Sequence, residues 1–164
     1  MSPFAPELTW EVIEWIRAVS NLPIIIKGVL HPDDAELAVT KGAQAIVCSN
    51  TGGRGMDGAM ATLEALPALV KAVNGRIPVL MDGGIRRGDD ILKALALGAT
   101  AVLCARPYVW GLGAFGREGV ARTFEMLKAE LKTAMGLAGV PNLAAITPDL
   151  VQRAWQPPRP VYGG

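Results

Sequence analysis

"DDILKALALGATAVLC" (residues 89–104) decides the fold, because the chain has already written it once, as "DDAELAVTKGAQAIVC" (33–48), 56 positions earlier. A second pair runs alongside it: "LPIIIKG" (22–28) and "IPVLMDG" (77–83), 55 positions apart. Self-similarity at a fixed period marks a repeated supersecondary unit. Each copy reads as an apolar run, a polar turn, an amphipathic segment opening on two aspartates, a Gly-Ala step and a second apolar run.

The apolar runs are short, continuous and bounded by Gly, Pro or charge, the pattern of strands buried on both faces of a parallel sheet. We expect strands at 23–27, 44–48, 77–81 and 101–104 and helices at 32–41, 60–73 and 89–97. Asp33, Asp34, Asp89 and Asp90 fall in first turns, where carboxylates suit the helix dipole, and Gly98 suits the end of a helix. A further helix at 9–19 is expected to be capped by Thr9, and a long one at 116–138 to follow the last strand. Regular βα repeats suit an open doubly wound sheet or a TIM barrel, and the internal repeat favours the barrel. A complete barrel has eight strands in about 250 residues. This chain of 164 supplies four strands, half a barrel. We expect residues 1–150 to form it and the Pro/Gly-rich 151–164 to be a loose tail. Two open sheet edges invite pairing, so self-association or a partner chain completing the barrel is expected.

Bulk properties exclude several classes. The chain is 51% apolar and 19% charged, a globular composition. A net charge of +1 gives no footprint for nucleic acid or an anionic membrane. No run of 18 apolar residues predicts a membrane span, and the opening "MSPFAPELTW" does not read as a signal peptide, so the cytoplasm is the expected compartment. Cys48 and Cys104 lie inside apolar runs without metal-ligand or CxxC spacing and read as small core residues. Trp10, Trp15, Trp110, Met56, Met60 and Met81 read as packing residues.

Barrel chemistry sits at the C-terminal ends of the strands. Those ends carry Lys27-Gly28, then "SNTGGRGMDG" (49–58), then "DGGIRRG" (82–88), then Ala105-Arg106-Pro107. "DGGIRRG" suits a phosphate cradle: glycines admit backbone N–H groups, the next helix N-terminus adds positive charge, and arginine adds forked donors, with Arg106 converging on the same anion. The plainer reading is a Gly-rich turn with solvated arginines. Lys27 could stabilise an anionic ring, or simply snorkel. Arg54 could grip a carboxylate, or pair with an acid such as Asp57. His31, the sole histidine, reads as a surface residue opening a helix, with Pro32 at its first position.

These stretches, with "LPALVKAV" and "ARPYVWGL", resemble the FMN-dependent α-hydroxy acid oxidases and dehydrogenases, such as glycolate oxidase, lactate oxidase and mandelate dehydrogenase. The resemblance runs over about residues 8–150 and covers the C-terminal half of that family. "HPDDA" and "DGAMATLEALP" look closest to lactate oxidases and lactate monooxygenases. The resemblance implies FMN as cofactor and a small 2-hydroxy acid, L-lactate-like, as substrate. It implies Lys27 near flavin N1 and O2, and Asp82, Gly83, Gly84, Ile85 and Arg86 on the ribityl chain and phosphate. Ala105 and Arg106 would complete the phosphate site, and Arg54 would bind the substrate carboxylate. The family's motif reads Ser-Asn-His-Gly-Gly-Arg, its histidine the catalytic base. Thr51 stands there instead, and Ala105 replaces a glycine. A hydroxyl accepts no proton near pH 7, and a positioned base is worth about 10²–10⁴ in rate, so impaired oxidation is expected. The other reading is a non-catalytic FMN- or phosphate-binding half-barrel, or a truncated remnant, that pairs with another chain.

Overall fold

The computed structural model describes residues 8–152. All of the tail beyond Gln152 lies outside those residues. The elements are α1 (Val12–Val19), β1 (Ile25–Val29), α2 (Pro32–Thr40), β2 (Ala45–Cys48), α3 (Thr62–Val73), β3 (Val79–Met81), α4 (Gly88–Ala96), β4 (Ala101–Val102) and α5 (Arg106–Leu137). A single 3₁₀ turn, Thr51–Gly53, follows β2, and two more follow α5. The four strands form one all-parallel sheet in chain order, β1-β2-β3-β4. This is an α/β half-barrel.

The register repeats as the sequence does. Ile25 pairs with Ala45 and Ile26 with Ile46; 55 and 56 positions on, Leu80 pairs with Ala101 and Met81 with Val102. Alternation then sorts the side chains. Ile46, Cys48, Val79 and Met81 enter the core that lies between the sheet and helices α2 to α4, with Leu66, Leu69 and Ala94. Lys27, Ser49 and Asp82 have the opposite parity and belong to the barrel-side face. There Ile25 and Leu103 stay exposed at the two edges.

Several expectations need correction. Helix formation after β4 begins at Arg106, ten residues early, and the helix breaks at Phe115 and Gly116 before running on. Three glycines in "WGLGAFG" mask the first segment's helical pattern, and the φ of +59° at Gly116 makes the break. Glu11, not Thr9, precedes α1, and Thr9 contributes only its carbonyl, to the Val12 N–H. Strand β4 stops at Val102 because it has no neighbour beyond it, although the Leu103 N–H still reaches the Met81 carbonyl. Trp15 is 66% exposed and Trp110 62%, and Met56 and Met60 are exposed too, so none of these four packs a core. Met81 does, and Trp10 lies against it, half-buried.

Candidate active site

Each repeat unit ends its strands at one mouth. β1 delivers Lys27 and β2 delivers Ser49. Beyond β3 come Asp82, Gly83 and Gly84, and beyond β4 Ala105 and Arg106. All ten of the site residues expected above line one open cleft of about 630 Å³, well within the range of small-molecule sites. A smaller recess of about 330 Å³ shares Gly52, Gly83, Gly84, Ile85 and Arg106 with it.

At the cleft's base, Lys27 Nζ pairs with Asp82 Oδ2 at 2.5 Å and donates to Ser49 Oγ at 2.6 Å. The other carboxylate oxygen, Asp82 Oδ1, is buried and has no hydrogen-bond partner. A buried acceptor left unsatisfied costs about 1–3 kcal/mol, which marks it as waiting for a donor. Four cations, Lys27, Arg54, Arg86 and Arg106, face the cleft against one carboxylate, Asp82. Among the described residues the guanidinium groups of Arg86 and Arg106 meet no acid. Arg106 lies over the 51–53 turn, its guanidinium 3.7 Å from where a Gly52 side chain would begin. Arg54 donates from Nε to the Thr51 carbonyl (3.3 Å), and no ion pair joins it to Asp57. His31 Nδ1 accepts from the Asp33 N–H at the start of α2, away from the cleft.

Backbone donors at the start of α4 are already taken by side chains. The Arg86 and Arg87 N–H groups both donate to Asp90 (2.9 Å each), and the Gly88 N–H to Glu130. The α4 N-terminus is thus already satisfied. The α5 N-terminus is not: no acid lies in its first turn and no side chain caps it, and Ala105 to Tyr108 line the cleft. Its dipole, with Gly83 and Gly84 in left-handed conformations (φ +89° and +80°), is the one left for an anion.

The 51–53 turn is strained. Thr51 has φ +56°, a left-handed conformation that a β-branched residue rarely adopts. Two consecutive side chains hold it: Ser49 Oγ accepts the Thr51 N–H (3.1 Å) and Asn50 Oδ1 the Gly52 N–H (3.1 Å). Sequence reading passed over Ser49 and Asn50, although a polar pair directly after an all-apolar strand was the available signal. The cysteines offer no nucleophile. Burial, then the Asp82 charge, pushes the Cys48 thiol up to about 12, and burial raises that of Cys104.

The model of the FMN-dependent dehydrogenase family matches residues 1–153. The chain belongs to this family. It is 55% identical to an L-lactate oxidase of Nostoc sp. over 141 residues, 86% of this chain and 39% of that protein. With human 2-hydroxyacid oxidase 1 it shares 48% over 148 residues, 90% of this chain and 40% of the other. A mandelate oxidase structure with a monooxide FMN adduct superposes with a TM-score of 0.83 at 50% identity, covering 90% of this chain and 46% of that one. The chain thus spans about two-fifths of the length of the curated relatives it matches. The family is one of oxidoreductases, and its members' barrels account for the parallel half-barrel seen here. No helix among the described residues is long and apolar enough to cross a membrane.

Proposed function

We propose that this chain carries the FMN grip and the substrate-carboxylate arginine of a 2-hydroxy acid oxidoreductase, acting on a small L-lactate-like acid. The observation that carries this reading is the single cleft with four cations, one carboxylate and an unsatisfied buried acceptor. The residues fit FMN. Asp82 Oδ1 seeks a hydroxyl donor, as a ribityl chain offers, and Arg86, Arg106 and the α5 N-terminus suit a phosphate. Lys27, held by Asp82 and Ser49, keeps a fixed positive charge where negative charge would develop on the ring.

Bound FMN supplies the two-electron acceptor. Arg54 grips the substrate carboxylate through its fork of N–H donors. Thr51 Oγ can hydrogen-bond the substrate hydroxyl but cannot hold its proton, which must leave to water. Oxidation is therefore slow, by about 10²–10⁴ relative to a chain with a base there. Titrating the protein with FMN and reading the flavin band near 450 nm tests the grip. Anaerobic bleaching by L-lactate tests the oxidation. An unchanged flavin spectrum on mixing would sink the whole reading.

Four further strands, from a second copy or a partner chain, complete the barrel in this proposal. The β2–β3 junction supplies the template: Val47 faces Leu80. Shifted by the repeat, the same geometry sets Leu103 of β4 beside Ile25 of a following β1, joining two residues now exposed. Cysteines at both positions should crosslink two copies under oxidation. A chain that runs as a monomer and never crosslinks would leave the partner chain as the source. Two plant relatives are named as peroxisomal enzymes, so imaging a tagged chain decides between that compartment and the expected cytoplasm.

A further inference from the structure

We infer that Ser49 is a positioning residue that ties the Lys27 ammonium to the strained turn at Thr51. Its importance to catalysis rests on the function proposed above; its geometry does not. Ser49 is 1% exposed, and its one oxygen accepts from Lys27 Nζ at 2.6 Å and from the Thr51 N–H at 3.1 Å. A hydroxyl has two acceptor lone pairs, and these two donors use both. One buried atom therefore fixes the cation of β1 and the backbone of the turn after β2.

Two observations set this apart from ordinary core satisfaction. First, the internal repeat supplies a control. The position 56 residues after Ser49 is Ala105, so the second unit folds the same strand end without a hydroxyl. The hydroxyl belongs only to the unit whose strand end carries the strained turn. Second, both of its donors serve the cleft. Lys27 and Thr51 line it, and Lys27 spends another donor on Asp82. Without Ser49 the ammonium keeps one anchor of two, and the Thr51 amide loses its side-chain acceptor.

The test reads the apo chain, so it stands whether or not FMN binds. In wild type, amide exchange measured by NMR should find the Thr51 N–H protected. Reductive methylation should label Lys27, half-exposed but held by both Ser49 and Asp82, more slowly than Lys93. In Ser49→Ala, Thr51 exchange and Lys27 labelling should both accelerate at least about fivefold, the worth of one hydrogen bond. Exchange in the helices should not change. Ser49→Thr, which keeps the oxygen, should restore both. Acceleration of only one readout, or of neither, overturns the inference. Should Ser49→Ala fail to fold, an unprotected Thr51 amide in wild type overturns it equally, since Ser49 is that amide's acceptor. FMN titration is read separately. If wild type binds no FMN, the proposed function fails and the Ser49 coupling is still decided by exchange and labelling.

Discussion

The two repeat units share a register but not an occupation. In unit one, β1-α2-β2, the strand ends carry Lys27, Ser49, Thr51 and Arg54, and in unit two, β3-α4-β4, they carry Asp82, Arg86 and Arg106. Unit one has the strained turn, and unit two has the open helix N-terminus and the paired glycines. Their helices start differently too. α2 opens on Pro32, and α4, 56 positions on, on Gly88, whose Cα faces the α5 backbone. On the function proposed above, one scaffold written twice serves two purposes: unit one carries the substrate arginine and the ring-facing Lys27, and unit two the ribityl and phosphate grip.

That division can be broken at its sharpest point first. Thr51→His should raise the rate of flavin reduction by L-lactate about 10²–10⁴-fold, read by stopped-flow absorbance. A rate that stays put places the deficit outside unit one. Next comes helix packing. A Cβ on Gly88 would lie 2.1 Å from the Leu131 nitrogen, which cannot yield without moving α5. Gly88→Ala should cost about 3 kcal/mol, roughly 6–12 °C in Tm by calorimetry, whereas Pro32→Ala at the matching site should cost under about 1 kcal/mol. For the anion grip, Arg106→Met should weaken FMN binding about 10–100-fold. Arg54→Met should leave it within about threefold, because the proposed phosphate site lies in unit two. The turn strain is smaller: Thr51→Asn, a residue that tolerates left-handed backbone, should stabilise by about 1 kcal/mol in a thermal melt.

The smallest effect is a pH dependence in unit two. The Gly88 N–H, then Arg87, holds the Glu130 carboxyl below its usual range. A depressed folded value means stability that is complete above the ordinary glutamate pKa of about 4.3 and is lost as pH falls through the folded one. Glu130→Gln keeps an acceptor for Gly88 but has no charge to lose. The Tm gap between wild type and variant should narrow across that acid window and be constant near pH 7.

The sequence disclosed most of this because repetition is legible without a structure. Strand order, both "DD" helix starts and the shared mouth followed from two aligned pairs of segments. What stayed hidden involved groups distant in sequence. Asp90 and Glu130 claim the amides of residues 86–88, so the uncapped helix end facing the cleft is that of α5 rather than α4, and no local pattern reports that. Trp15 and Trp110 are exposed rather than packed because the sequence does not report which side of its helix each one occupies. The positive φ at Thr51 contradicts the residue's own preference, so only coordinates could reveal it. Nothing in the motif singles out Ser49, because its burial and its two donors are tertiary facts.

Lys27 and Asp82 occupy the same place in their respective repeats, 55 positions apart, and bond to each other. The same residue at both places would bring like charges, or none, together there. The bridge therefore depends on the two units differing at this one place, and strict repetition would abolish it.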